Sequence, residues 1–304
     1  PAGSAVFLPA ISGNDAMQDL NQKIVHCLEQ NHTIVLATIM SHHGSTPRTS
    51  GSWMIVQKDS RIYGTIGGGL VEAKVIDAAL ELMDTGKSRI FDFSLDRELK
   101  QGLDMICGGS LTVLLESLKP DKSTIELYKT AAKAALESKP GVIAAALTSS
   151  PGKKSFTSDK VVVLADGGIF GNQILPAPLI EAITESRFQS TSPTRYHHGL
   201  SEFIITPILL QSTIIICGAG HVGYRLAQLA HITGFQTIII DDRQEFANPE
   251  RFPDSIKICV VQGYKNCFDG LSIDSNTFIA IMTRGHLHDQ AVLEAALDKN
   301  PVYI

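Results

Sequence analysis

The stretch "STIIICGAGHVGYRLAQLAHITGFQTIIIDDR", Ser212 to Arg243, decides the fold of the C-terminal third. "STIIIC" is short, apolar and β-branched, as expected of a parallel strand buried on both faces. Gly218-Ala219-Gly220-His221-Val222-Gly223 follows at once, a GxGxxG turn that opens a helix. Its first glycine permits the tight turn, its second a close backbone approach to a pyrophosphate, and its third close packing of helix on strand. The helix headed by His221 offers N–H groups and a partial positive charge to phosphates. Val222, Leu226, Leu229 and Ala230 read as its buried face, and Gly234 as its stop. "QTIIID" is a second buried strand. It ends in Asp241 and Asp242, where the ribose-binding acid of such a unit stands. Arg243 beside them leaves NAD and NADP both open.

Outward from this stretch, "IKICVV" and "TFIAIM" read as a third and a fourth strand, and "DQAVLEAALDK" as a helix with Asp289 as its N-cap. "VYI" opens one more strand, so the reading expects the unit to continue beyond Ile304. Strands alternating with helices predict an α/β fold, a Rossmann-type doubly wound parallel sheet over residues 211–304. "TRGHLHD" follows the fourth strand, which sets Arg284, His286 and Asp289 at the carboxyl edge where such sheets bind ligands.

Residues 17–210 read as an α+β domain with a degenerate internal duplication, its halves about 21–120 and 121–210. "IVLATIMSHHGS" aligns with "VIAAALTSSPGK", "MIVQKDSRIYG" with "VVVLADGGIFG", and "GGSLTVLLE" with "LSEFIITPI". The order expected in each half is helix, strand, loop, strand, turn, strand, helix, final strand. The second copy keeps the apolar strands and lacks GSTPR, GGG and CGG. Folding needs the strands in both copies; something else needs the loops of the first.

Those loops carry the chemistry. Ser45, Thr46 and Arg48 are oxyanion and phosphate donors, and Pro47 stiffens their loop. Gly67, Gly68 and Gly69 precede a helix with Val71, Val75, Ala78 and Leu82 on one face, and glycines there form an anion-binding nest. Glu72 lies in the first turn. Cys107 precedes Gly108, whose accessible backbone N–H is suited to stabilising a thiolate. The five cysteines form no CxxC pair, which fits a reducing cytoplasm. The histidine pairs lack metal-ligand spacing, so no metal site is expected. A net charge of −5 with no basic stripe argues against nucleic acid. The apolar run Phe203–Cys217, broken by Pro207 and Gln211, is too short to cross a bilayer.

Taken in order, "GSTPRTSGSWMIV", "GTIGGGLVEAKV", "CGGSLTVLLE", "IIICGAGHVG", "IIIDDRQEFANPERFPD" and "TRGHLHDQAVLEAAL" resemble the xanthine dehydrogenase accessory factors, the XdhC/CoxI family. The resemblance implies an N-terminal accessory domain followed by a Rossmann domain. It implies a maturation factor for molybdenum hydroxylases that binds the molybdenum cofactor, assists its sulfuration and delivers it to an apo-enzyme. The partners implied are that apo-enzyme and a cysteine desulfurase. The combined expectation places the cofactor phosphate at Gly67–Gly69 with Arg48 and Ser45, and Cys107 near the metal. A symmetric homodimer is the expected assembly. The alternative from the residues alone is an NAD(P)-dependent oxidoreductase built on the C-terminal unit.

Overall fold

A computed structural model describes residues 20–94, 109–149, 155–171, 174–185, 192–199, 201–274 and 276–304. The chain forms two compact units, Leu20–Leu209 and Leu210–Ile304. Among the described residues no helix is long and apolar enough to cross a membrane.

The first unit runs α1 (Leu20–Glu29), β1 (Ile34–Gly44), β2 (Trp53–Gln57), β3 (Ile62–Gly64), α2 (Gly69–Thr85), β4 (Ser88–Ser94) and β5 (Gly109–Leu118). It continues through α3 (Lys122–Leu136), β6 (Gly141–Ser149), β7 (Ser155–Leu164), β8 (Ile169–Gly171), α4 (Ala177–Thr184), β9 (Thr194–His198) and β10 (Ser201–Pro207). The strands form one sheet in the order β3-β2-β1-β5-β4-β7-β6-β10-β9, with β8 on β7. The internal repeat is visible in this order. The first half pairs as β3-β2-β1-β5-β4 and the second as β8-β7-β6-β10-β9, all antiparallel. The register repeats too: Ile34 faces Gln57 as Gly141 faces Leu164, and Met54 faces Gly64 as Val161 faces Gly171.

The sequence reading of each half lacks one strand, β4 in the first and β9 in the second. "SRIFDFS" and "TRYHH" mix charge with aromatics and show neither a clean period of two nor an apolar run. β4 nonetheless pairs six residues of β5. It also joins the halves, through just two described pairs with β7, Ser88–Phe156 and Arg89–Ser155. By contrast β6 and β7 share nine pairs, from Gly141–Leu164 to Ser149–Phe156.

β1 is buried on both faces. Val35, Ala37 and Ile39 pack with Met54, Val56, Val113 and Leu115 under Val71, Val75 and Ala79 of α2. Met40 turns to the other face, against Leu114, Phe156 and Ile204. A register shift between Ile39 and Ser41 lets β1 continue through Gly44, beside Gly109 of β5. The polar loop is therefore shorter than its sequence suggests, because His42 and His43 belong to a strand.

The second unit contains β11 (Thr213–Cys217), α5 (His221–Ile232), β12 (Gln236–Asp241), β13 (Lys257–Val260), β14 (Thr277–Ile281) and α6 (His286–Leu297). Its parallel sheet runs β13-β12-β11-β14. Tyr303 bridges Phe278 of β14 in parallel, where the sequence points to a further strand. One face packs against Val292 and Ala296 of α6 and the other against Ala227 of α5, which is the doubly wound arrangement. The buried face of α5 differs from the expected one. Gly223, Ala227 and Ala230 are buried, whereas Val222 and Leu229 are 67% and 61% exposed. At Gly223 the helix lies too close to the preceding turn for any side chain, and Leu226 of the expected face packs at the margin of the cluster.

Candidate functional site

In the first unit the polar motifs meet at one edge of the sheet. Gly67 has φ 129°, Gly68 73° and Gly69 62°. Three successive residues in this region require glycine, since a Cβ makes each conformation costly. Gly67 is also crowded: a Cβ there would lie 2.5 Å from Pro47 Cγ and 3.8 Å from Arg48 Cγ. Gly109 meets the same loop, where a Cβ would lie 2.5 Å from His43 O, 2.8 Å from Ser45 O and 3.2 Å from Thr46 Cγ2. The GSTPR loop is thus held between the three-glycine turn and the strand that follows Cys107 and Gly108. Cys107 and Gly108 themselves lie outside the described residues.

Glu72 takes an unexpected position. It is 6% exposed, and its Oε2 accepts from Thr65 Oγ1 at 2.6 Å, Ile66 N at 3.3 Å and Gly68 N at 3.1 Å. Gly67 N donates to Thr65 Oγ1 at 3.1 Å. Within the three-glycine turn, Gly68 N is held by the protein's own Glu72 carboxylate and Gly67 N by the Thr65 hydroxyl. What remains is the first turn of α2. Gly68 caps it without a side-chain bond, so the Gly69 and Leu70 amides have no partner within the helix. Around Gly68 and Gly69 a Cβ would meet nothing within 4 Å.

Arg48 and Ser45 are exposed. The Thr46 hydroxyl donates to Arg48 O at 2.9 Å, so it shapes the loop. Arg48, Ser50, Gly51, Ser52, Trp53, Gly64 and Thr65 line a cleft of about 380 Å³. His42 Nδ1 lies 2.8 Å from Ser50 Oγ and accepts from Ser50 N at 3.1 Å, which pins the far end of the loop. Sequence weighs His42 only as one of the histidine pairs and passes over Ser50, because their contact depends on the β1 register. A larger cleft in the unit, about 1000 Å³, holds none of the expected site residues. Lys160 lines it and pairs with Glu116 at 2.8 Å, the two side chains 10% and 6% exposed. Burial works against the Lys160 charge, but Glu116 outweighs it and holds the proton on.

In the second unit the glycines behave as the turn requires. Gly218 has φ 124°, and a Cβ there would lie 2.1 Å from Met282 O. A Cβ on Gly223 would lie 1.8 Å from Gly218 O, and around Gly220 there is open space. His221 is exposed at the head of α5. The two acids separate. Asp241 is fully buried; its Oδ2 accepts from Ala219 N at 2.7 Å and Arg243 Nη2 at 3.0 Å, its Oδ1 from Arg243 N and Nε at 2.9 and 3.0 Å. Burial pushes its carboxyl up, but Arg243 and these amides outweigh that and hold it below the usual carboxylate range. Asp241 is committed inside the fold. Asp242 accepts from Arg284 Nη2 at 2.9 Å through Oδ2, while its buried Oδ1 has no hydrogen-bond partner. His286 is exposed as the first residue of α6. The helix cap is Gly285, not Asp289, whose carboxylate instead accepts from Thr283 Oγ1 at 2.6 Å.

Comparison with known proteins places both units. The model of the XdhC and CoxI family matches residues 27–94, and that of the XdhC Rossmann domain matches 214–304. An uncharacterised protein of Escherichia coli (strain K12), YqeB, is 23% identical over 271 residues, 89% of this chain and 33% of that protein. A Bacillus subtilis (strain 168) protein described as a probable xanthine dehydrogenase component is 25% identical over 279 residues, 91% of this chain and 80% of that one. The molybdenum cofactor insertion chaperone PaoD of E. coli (strain K12) is 33% identical over 102 residues, 31% of this chain and 30% of that one. The chain thus spans a third of the length of YqeB and four-fifths of the Bacillus protein. A crystal structure described as a xanthine dehydrogenase from Bacillus halodurans superposes with a TM-score of 0.71 at 23% identity. It covers 92% of this chain and 79% of its own, and shares the fold.

Proposed function

The chain belongs to the XdhC and CoxI family, and from that premise we propose that it matures molybdenum hydroxylases, holding the molybdenum cofactor as cargo and passing it to an apo-enzyme. The observation that carries this reading is the meeting of the GSTPR loop, the three-glycine turn and Gly109 at one sheet edge. The relative named as a molybdenum cofactor insertion chaperone supports it.

The chain's own residues divide the work. Glu72 ties down the glycine turn from inside, so the loop has its shape before any cargo arrives. Arg48 supplies a planar double donor for a phosphate at the rim of the cleft. Ser45 and the Gly69 and Leu70 amides supply further donors, with the α2 dipole behind them. Thiolates suit soft metal centres, and Cys107, two residues before Gly109, is the group assigned to the metal end and to sulfur addition. A cysteine desulfurase as sulfur donor and a homodimeric assembly belong to the same proposal. The crevice of the second unit, with Gly218, Gly220, His221, Asp242, Arg284 and His286 around it, is assigned to a nucleotide.

The test is co-elution of the molybdenum cofactor with the purified full chain on gel filtration, with molybdenum counted by mass spectrometry. The expected result is retention by the native chain and at least tenfold less by Arg48→Ala. No retention by the native chain removes the cargo role. Equal retention by Arg48→Ala moves the phosphate away from this loop.

A further inference from the structure

Trp53 lines the cleft beside Arg48 and has no part in the work assigned so far. It is the single tryptophan of the chain. It opens β2, pairs with Thr38 of β1 and is half-buried. Its neighbour is Gly64, the last residue of β3, the edge strand of the sheet. A Cβ on Gly64 would lie 2.6 Å from Trp53 O and 2.8 Å from Cε3 and Cζ3 of the indole. The six-membered ring of the indole therefore lies against bare backbone, which braces it. The cleft that both residues line has two kinds of wall. Arg48, Ser50, Ser52 and Thr65 are polar; Trp53 and Leu209 are bulky and apolar. A phosphate uses the polar residues and leaves the apolar ones without a role.

The internal repeat shows that the indole is not there to cover the glycine. In the second half Lys160 takes the place of Trp53, and Gly171 that of Gly64. Thr38 faces Trp53 as Ala145 faces Lys160, and Met54 faces Gly64 as Val161 faces Gly171. A Cβ on Gly171 would lie 2.9 Å from Lys160 O. The close carbonyl thus requires the glycine in both halves, with or without an aromatic neighbour. The Lys160 side chain pairs with Glu116 instead. Trp53 belongs with the GSTPR loop and the three glycines, as a feature of the loop-bearing half alone.

We propose that Trp53 is the ring-binding wall of this cleft, stacking on a planar fused nitrogen heterocycle whose phosphate tail reaches Arg48. The inference rests on the cargo reading, and within that reading the ring is a pterin. An indole offers a broad π-face with few rotatable bonds to fix, so stacking on it costs little order. The polar wall recognises the charge of the ligand and the apolar wall its shape. Free phosphate and small phosphate esters satisfy only the first.

The experiment uses the full chain. 6-Hydroxymethylpterin carries the ring without a phosphate, and guanosine carries a purine in its place. Trp53 is the only tryptophan, so tryptophan fluorescence reports on this cleft. Parallel titrations of N-acetyltryptophanamide correct for light absorbed by the probes. The pterin quenches Trp53 saturably, and guanosine quenches it less at equal concentration. Titration calorimetry then compares variants. Trp53→Ala binds the pterin about five- to hundredfold more weakly, the range of stacking on an aromatic side chain, and Trp53→Phe recovers most of the loss. No saturable quenching by the pterin, equal pterin affinity in native chain and Trp53→Ala, or guanosine binding as tightly as the pterin overturns the proposal. Circular dichroism shows whether Trp53→Ala is folded; if it is not, Trp53→Leu, which keeps apolar bulk without a π-face, takes its place. Molybdenum retention on the same samples separates the two failures. Retention by the native chain and undiminished retention by the variant leave the cargo role standing and remove the ring wall; no retention by the native chain removes the cargo role itself.

Discussion

Asp241 and Asp242 are neighbours with opposite fates, and the difference predicts how the second unit responds to acid. Asp241 is held ionised by Arg243 and two amides, with its carboxyl lowered in the folded state. A lowered folded value contributes stability above the unfolded value, about pH 4, which is lost as pH falls through the folded one. The unit should therefore weaken below about pH 4, and Asp241→Asn should flatten that acid limb in urea melts recorded across pH. Lys160 and Glu116 make a second residue-scale case. Lys160→Met alone strands a buried carboxylate and should cost about 3–5 kcal/mol. The double change Lys160→Met with Glu116→Leu should recover most of it, because the pair's desolvation cost leaves with both charges. Denaturant midpoints of the three proteins check this. Glu72 makes the limit of sequence reading plain. An acid in the first turn of a helix is legible; that its oxygen turns back into the preceding glycines is not, since that depends on three positive φ angles in a row.

At the scale of elements, local patterns are the legible ones. The strand–turn–helix–strand of the second unit is continuous in sequence, and it forms as read. Its glycines predict different outcomes. Gly223→Ala forces a Cβ onto the Gly218 carbonyl and should destabilise the unit by more than about 3 kcal/mol or prevent its folding. Gly220→Ala has space and an ordinary φ of −63°, so its thermal midpoint should stay within about 2 °C of the native chain. Scanning calorimetry of the two variants makes the comparison. The buried face of α5 escapes the sequence pattern for the same reason that Gly223 matters. Gly223 must face inward because no side chain fits there, and that rotation of the helix leaves Val222 and Leu229 outside, against the usual hydrophobic pattern. β4 and β9 are invisible in sequence because a strand with charged residues and no steady alternation carries no local signal; its neighbours make it a strand.

At the scale of the molecule, the repeat is legible through its apolar strands and the candidate site through what the second copy lacks. The second copy keeps the hairpin register of the first and drops its loops. The meeting of those loops is beyond sequence, since Gly109 reaches Ser45 and Thr46 only because β1 runs past its bulge to Gly44. The seam between the halves has a consequence in time. Among the described residues two pairs, Ser88–Phe156 and Arg89–Ser155, join β4 to β7, against nine between β6 and β7. A seam with so few backbone bonds is where a sheet opens locally, and local openings of this kind set amide exchange. In deuterated water, the amides at Arg89 and Phe156 should therefore exchange at least tenfold faster than those of Val161–Val163. The backbone seam then opens and closes many times in the lifetime of one folded molecule, while Met40, Leu114, Phe156 and Ile204 keep the two halves packed together.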